Sequence, residues 1–226
     1  SLVYLFFMIT PPPALVERAW NRGLEVGRFK AVDDVLHHAV EAYQGMPELF
    51  FTWATRSDKK VHYEFLDNDV PRGTRPRTVA FGWNGELTVV DVGALIDVVR
   101  FQRINIDATS PASVYQSTSS DDSGRFGFLA QCISRLPKVT LVDAYSGRAY
   151  VTFEHGVARA YARVELDAAQ REPSILAALE FLAPELLNGT SEGEQTDSSS
   201  TARSAAHIIG IAPRGLTSDI RHLHDA

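Results

Sequence analysis

Cations interleaved with aromatic rings along strand-like stretches are the residues of this chain whose types and spacing could do chemistry. In KVHYEFL (60–66), alternation puts Val61, Tyr63 and Phe65 on one face and Lys60, His62 and Glu64 on the other. In RAYVTF (148–153), Arg148, Tyr150 and Thr152 oppose Val151 and Phe153. In YARVEL (161–166), Tyr161 and Arg163 oppose Ala162, Val164 and Leu166. Arg77 and Arg125 open two further stretches, and the loop DVPRGTRPR (69–77) carries Arg72, Arg75 and Arg77 with no acid between them. Such a set can track a phosphate backbone while its rings stack bases, at about 1–3 kcal/mol per base. The competing reading is a solvated sheet face and a solvated turn.

Other chemistry finds less support. His37 and His38 are adjacent on a helical stretch, so they point to different faces, and His222 and His224 sit in a tail; no metal site is expected. Cys132 lies among Leu129, Ile133 and Leu136 and reads as core, whereas a reactive thiol needs an exposed, electropositive setting. No Gly-rich phosphate loop or Ser-His-Asp pattern stands out. Asn188-Gly-Thr is a formal glycosylation acceptor, relevant only in a secreted chain. The expectation is a non-catalytic protein without cofactor or metal.

Composition sets the bounds. The 226 residues are 45% apolar and 22% charged, an ordinary globular balance with room for a sizeable core. A net charge of −6 argues against a broadly basic nucleic-acid binder but leaves room for a local basic patch. One cysteine forbids an internal disulfide and fits a reducing compartment. The opening SLVYLFFMI is far shorter than the roughly 20 residues that span a bilayer, and it lacks the basic start of a signal peptide. No membrane partner is expected. Because the chain opens with Ser1, removal of a targeting segment stays open.

The elements that must position these residues follow from periodicity. Residues 1–10 read as a buried or partner-covered strand, stopped by the prolines at 11–13. Residues 13–45 read as a helical hairpin broken at Gly27, with Leu15, Ala19 and Trp20 on one face of the first helix and Val32, Val35, Leu36, Ala39 and Tyr43 on one face of the second. Strands are predicted near 49–56, 60–66, 77–83, 86–91, 111–118, 125–135, 138–144, 148–153 and 158–166, interrupted by a helix over 93–103. A closing helix over 173–188 carries Ile175, Leu176, Leu179, Leu182, Ala183 and Leu186 in one stripe, widened by Phe181 and Leu187. That stripe exceeds what one sheet face needs, so a homo- or hetero-oligomer through this helix is predicted. Residues 189–204 read as a linker and 205–226 as a C-terminal arm.

Strands, helix, strands, helix is the order that two ββββα units would give. Three stretches resemble the Whirly family of single-stranded nucleic-acid-binding proteins: ELTVVDVGALIDVV (86–99), SGRFGFLAQ (123–131) and EPSILAALEFLAPELLNG (172–189). The resemblance covers roughly residues 48–189 and implies an α+β fold of two ββββα repeats, antiparallel sheets covered by helices, with the helical hairpin as an addition. The chain departs from the plant members in lacking their Lys-Gly-Lys-Ala-rich strand. The family is similar to mitochondrial guide-RNA-annealing proteins, which implies RNA over DNA and an organellar, mitochondrial role in RNA processing.

The expected organisation is therefore an N-terminal extension (1–47), a Whirly-like domain (48–189) and a linker with arm (190–226). The expected function is oligomeric binding of single-stranded RNA or DNA. A structural or adaptor subunit that kept the fold without the ligand is the rival. GRFKAVDDVLHHAVEA (27–42) also resembles the second half of ribbon-helix-helix antitoxins. However, VYLFFMI lacks the alternating polar residues with which such ribbons read base edges, so duplex binding ranks third.

Overall fold

The computed structural model describes residues 1–115, 124–160 and 172–187. It is a mixed α+β protein with seven strands and five helices among those residues. In chain order they are β1 (Leu2–Ile9), α1 (Pro12–Val26), α2 (Val32–Ala54), β2 (Lys60–Asp67), β3 (Arg77–Trp83), β4 (Glu86–Val89), α3 (Val92–Phe101), α4 (Gly127–Arg135), β5 (Lys138–Val142), β6 (Ala149–Glu154), β7 (Val157–Ala160) and α5 (Pro173–Leu182). Two compact units divide the chain: Ser1–Val139 with Glu154–Gly156, and Thr140–Phe153 with Val157–Ala226.

In the first unit, β1 runs parallel to β2, while β2–β3 and β3–β4 are antiparallel. A parallel pair needs a long crossover, and the α1–α2 hairpin supplies it. The hairpin is thus part of the sheet's own connection, and α2 runs unbroken through the boundary expected at residue 47. Asn84 and Gly85, both at positive φ, turn β3 into β4, as an Asn-Gly pair between alternating strands favours. Asn84 also holds the start of β2, accepting from Val61 N–H through Oδ1 at 2.9 Å. Gly82 is required by close approach, since a Cβ there would stand 1.8 Å from the Glu86 carbonyl oxygen.

The inner sheet face packs on α2 and α4 through rings. Phe50 is the hub, within 6 Å of Phe7, Phe51, Tyr63, Phe65 and Phe128. Full burial of one such side chain is worth about 1.5–3 kcal/mol. A second small core joins the hairpin to the loop after α3, through Leu36, Ile104, Ala108 and Val114.

Several sequence expectations need correction. Residues 49–54 belong to α2 rather than a strand. Pro47 suggests a break, but its cost is met elsewhere: Gln102 Nε2 donates to the Tyr43 carbonyl at 2.9 Å, the acceptor that a proline at 47 leaves without its amide. Residues 127–135 are helix α4, because Phe128, Leu129, Cys132 and Ile133 bury one helical face. Residues 111–113 form a 3₁₀ turn. The strand order β1 to β7 is that of one sheet, and the two ββββα halves are not formed as expected: β1, from the N-terminus and parallel to β2, joins β2–β4, and the stretch expected to open the second half is a helix.

In the second unit, β5, β6 and β7 are neighbours in that order. Thr140 and Thr152 hydroxyls meet across β5–β6 at 3.0 Å. Helix α5 starts at Pro173, a favoured first helical residue, and buries Ile175, Ala178 and Leu179. Phe181 stays half exposed. Residues 188–226, with the predicted linker and arm, lie outside the described residues.

Candidate functional site

The strand alternation expected for β2 holds: Val61, Tyr63 and Phe65 are buried, while Lys60, His62 and Glu64 face outward. What the register adds is their neighbours. Cross-strand rows on the outer face run Tyr4–His62–Trp83–Glu86, Phe6–Glu64–Phe81–Thr88, Met8–Leu66–Thr78 and Leu2–Lys60. The Tyr4 and His62 rings stack with centroids 5.1 Å apart, and Trp83 continues the row 6.2 Å from His62. The four outward residues of β1 are all apolar and open, with exposures of 51% for Leu2, 45% for Tyr4, 44% for Phe6 and 41% for Met8. Strand β1 stands at the end of the strand order, so its far side has no strand neighbour among the described residues.

The charge on this face is sparse. Lys60 is its lysine, and Glu64 and Glu86 bring carboxylates, with Glu64 accepting from the Thr78 hydroxyl at 2.6 Å. Partial burial lowers the His62 pKa below its ordinary value, so the ring favours its neutral, stacking form.

Within the first unit, the other cations expected to share a surface are engaged or placed elsewhere. Arg72 is ion-paired to Glu25 of α1. Arg77 binds the buried carboxylate of Asp67, on the inner side of the β2–β3 edge, and that hydrogen bond raises its pKa. Arg75 is exposed in the loop before β3. Arg125 precedes α4 instead of opening a strand, and its guanidinium lies 5.9 Å from the Phe126 ring centroid. Arg148 is exposed in the turn between β5 and β6, where its carbonyl accepts from Asp143 N–H at 2.8 Å. Tyr150 is buried, 7% exposed, and is not available to stack a base. Tyr161 and Arg163 lie outside the described residues.

Sequence reasoning missed Tyr4, Phe6 and Trp83. Every residue of VYLFFMI is apolar, so alternation gave no outward face, and only the pairing register sets Tyr4 and Trp83 on either side of His62.

Cys132 is fully buried, and desolvation pushes its thiol well above the usual range. Among the described residues, no group of three or more His, Cys, Asp or Glu could hold a metal, and no helix is long and apolar enough to cross a membrane. Comparison with family models, curated proteins and solved structures yields no match for the chain. The resemblance to the Whirly family accordingly rests on its three motifs. Residues 86–89 and 92–101 take the strand and helix that motif implies, 173–182 is helical, and 127–135 is helical where a strand was implied.

Proposed function

We propose that the chain is a non-catalytic adaptor that binds a protein partner through the outer face of β1–β4. The observation that carries this reading is the exposure of Leu2, Tyr4, Phe6 and Met8 along a strand with no charge and no proline. Contiguous exposed apolar surface marks interaction sites, and an edge strand is ordinarily guarded by charge, proline or cover. The carboxylates of Glu64 and Glu86, set against Lys60, make the face a poor tracker of phosphate. A photo-cross-linking residue at position 6 or 83 should give one discrete, protease-sensitive adduct in cells, and the same residue at exposed position 145 should not. No adduct from 6 or 83 removes this reading.

A second reading, single-stranded RNA or DNA binding as the Whirly resemblance implies, is favoured by the Tyr4–His62–Trp83 row, a line of rings on which bases can stack. It predicts a nuclease-sensitive adduct at position 83 and binding of labelled single strands that weakens from low to moderate salt. Absence of binding at low salt eliminates it.

A further inference from the structure

Away from the outer sheet face, a groove of about 700 Å³ opens in the first unit between α2, the end of α3 and the length of α4. Its size lies within the range of small-ligand sites. Arg103 and Arg135 line it, with Glu48 as the acid among the lining residues. Neither guanidinium meets a carboxylate among the described residues, in contrast to Arg56, Arg72 and Arg77.

Arg135 lies over the Phe51 ring at 4.0 Å. Stacking occupies a face of the planar guanidinium and leaves its N–H edge for two parallel hydrogen bonds to an oxyanion. Phe51 is itself 1% exposed, so the support is rigid. The Arg103 guanidinium stands 3.3 Å from where a Cβ on Gly124 would lie, so that glycine leaves it room at the rim. Gln131, exposed on α4, adds an amide able to donate and accept.

Among the described residues, two guanidiniums against one carboxylate give the groove a net positive lining in a chain of net charge −6. We propose that this groove binds a small dianion, a phosphate monoester or a dicarboxylate, with Arg135 as the bidentate anchor and Arg103 as the second charge. Glu48 then selects against ligands bearing a third negative group and favours a hydroxyl or ammonium beside the dianion.

Calorimetric titration of the full chain at low ionic strength, with inorganic phosphate and separately with succinate, tests this. Saturable binding of phosphate alone identifies the phosphate class, and of succinate alone the dicarboxylate class. Arg103→Gln, a change at an exposed side chain, should weaken binding about tenfold or more, the scale of one charge-assisted hydrogen bond. Arg135→Lys should do the same, because an ammonium keeps the charge but loses the two-edged geometry. Arg22→Gln, on the exposed side of α1, and Phe6→Glu, on the outer sheet face, should leave it unchanged, so this test is independent of the partner-binding reading. No saturable heat with either anion, or affinities within about twofold of the parent in both arginine variants, overturns the proposal.

Discussion

The side-chain amide of Gln102 donates to the carbonyl of Tyr43 at 2.9 Å, across 59 positions of sequence, and so supplies the partner that Pro47 withholds from α2. Gln44 returns the contact, donating to the Gln102 carbonyl at 3.2 Å. This exchange ties the end of α3 to the middle of α2 and lets one helix of 23 residues run through an interior proline. Phe50 and Phe51, the rings that seat the sheet, lie just beyond that proline.

Gln102→Ala should therefore destabilise the chain by about 1–3 kcal/mol, the cost of stranding an acceptor in a partly buried site. Gln44→Ala, on the exposed side, should cost far less. In a Pro47→Ala background the amide of residue 47 satisfies Tyr43, and the Gln102→Ala penalty should shrink. Urea midpoints of the four variants and the parent check the cycle; an undiminished penalty in that background contradicts it.

Tyr43 makes the next link. Its hydroxyl accepts from Thr10 N–H and donates to the Thr10 carbonyl, each at 2.7 Å, and burial pushes its pKa up to about 12. Tyr43→Phe should leave two buried backbone groups unmet at the end of β1, at about 1–3 kcal/mol each if neither finds water. Hydrogen exchange should speed first at Thr10 and the adjacent end of β1. Unchanged exchange there contradicts the assignment.

The hydropathy pattern made much of this unit legible. Alternation places Val61, Tyr63 and Phe65 inward, and β3 and β4 form within the strands expected at 77–83 and 86–91. The errors have two causes, a local signal overridden from far along the chain and a helical period hidden behind a short alternation. LFFTWA has strand-forming residues, yet Gln102 and the Phe50 cluster keep it helical. RFGFLAQCISR alternates at its start, but its buried set of Phe128, Leu129, Cys132 and Ile133 follows the helical period. The candidate site was less legible still. Lys60 and His62 were placed on the outer face, but Tyr4 and Trp83 reach His62 only through a parallel crossover whose register no local pattern encodes.

His62 gives a pH dependence with a defined sign. Its folded pKa lies below the ordinary 6.5 because burial disfavours the charged ring. Between the two values the unfolded chain binds more protons, so stability rises with pH there and is lost as pH falls below about 6.5. Replacing His62 by Gln should flatten that part of the stability profile measured in urea. A slope unchanged by the substitution contradicts the assignment.

On α5, Ile175, Ala178 and Leu179 are buried, while Phe181, one turn beyond Ala178, is 51% exposed. If this outward ring meets another helix, as the breadth of the apolar stripe predicts, the purified chain sediments as an oligomer and Phe181→Glu lowers its mass. A parent chain of 24.9 kDa sedimenting as a monomer contradicts it.

The partner-binding role of the outer face is most directly tested by hydroxyl-radical footprinting of Tyr4, Phe6, Met8 and Trp83, in the isolated chain and in its native cellular assembly. All four should oxidise readily when isolated and be jointly protected in the assembly, with Tyr145 oxidised equally in both. Equal oxidation of the four residues in the two states would contradict it.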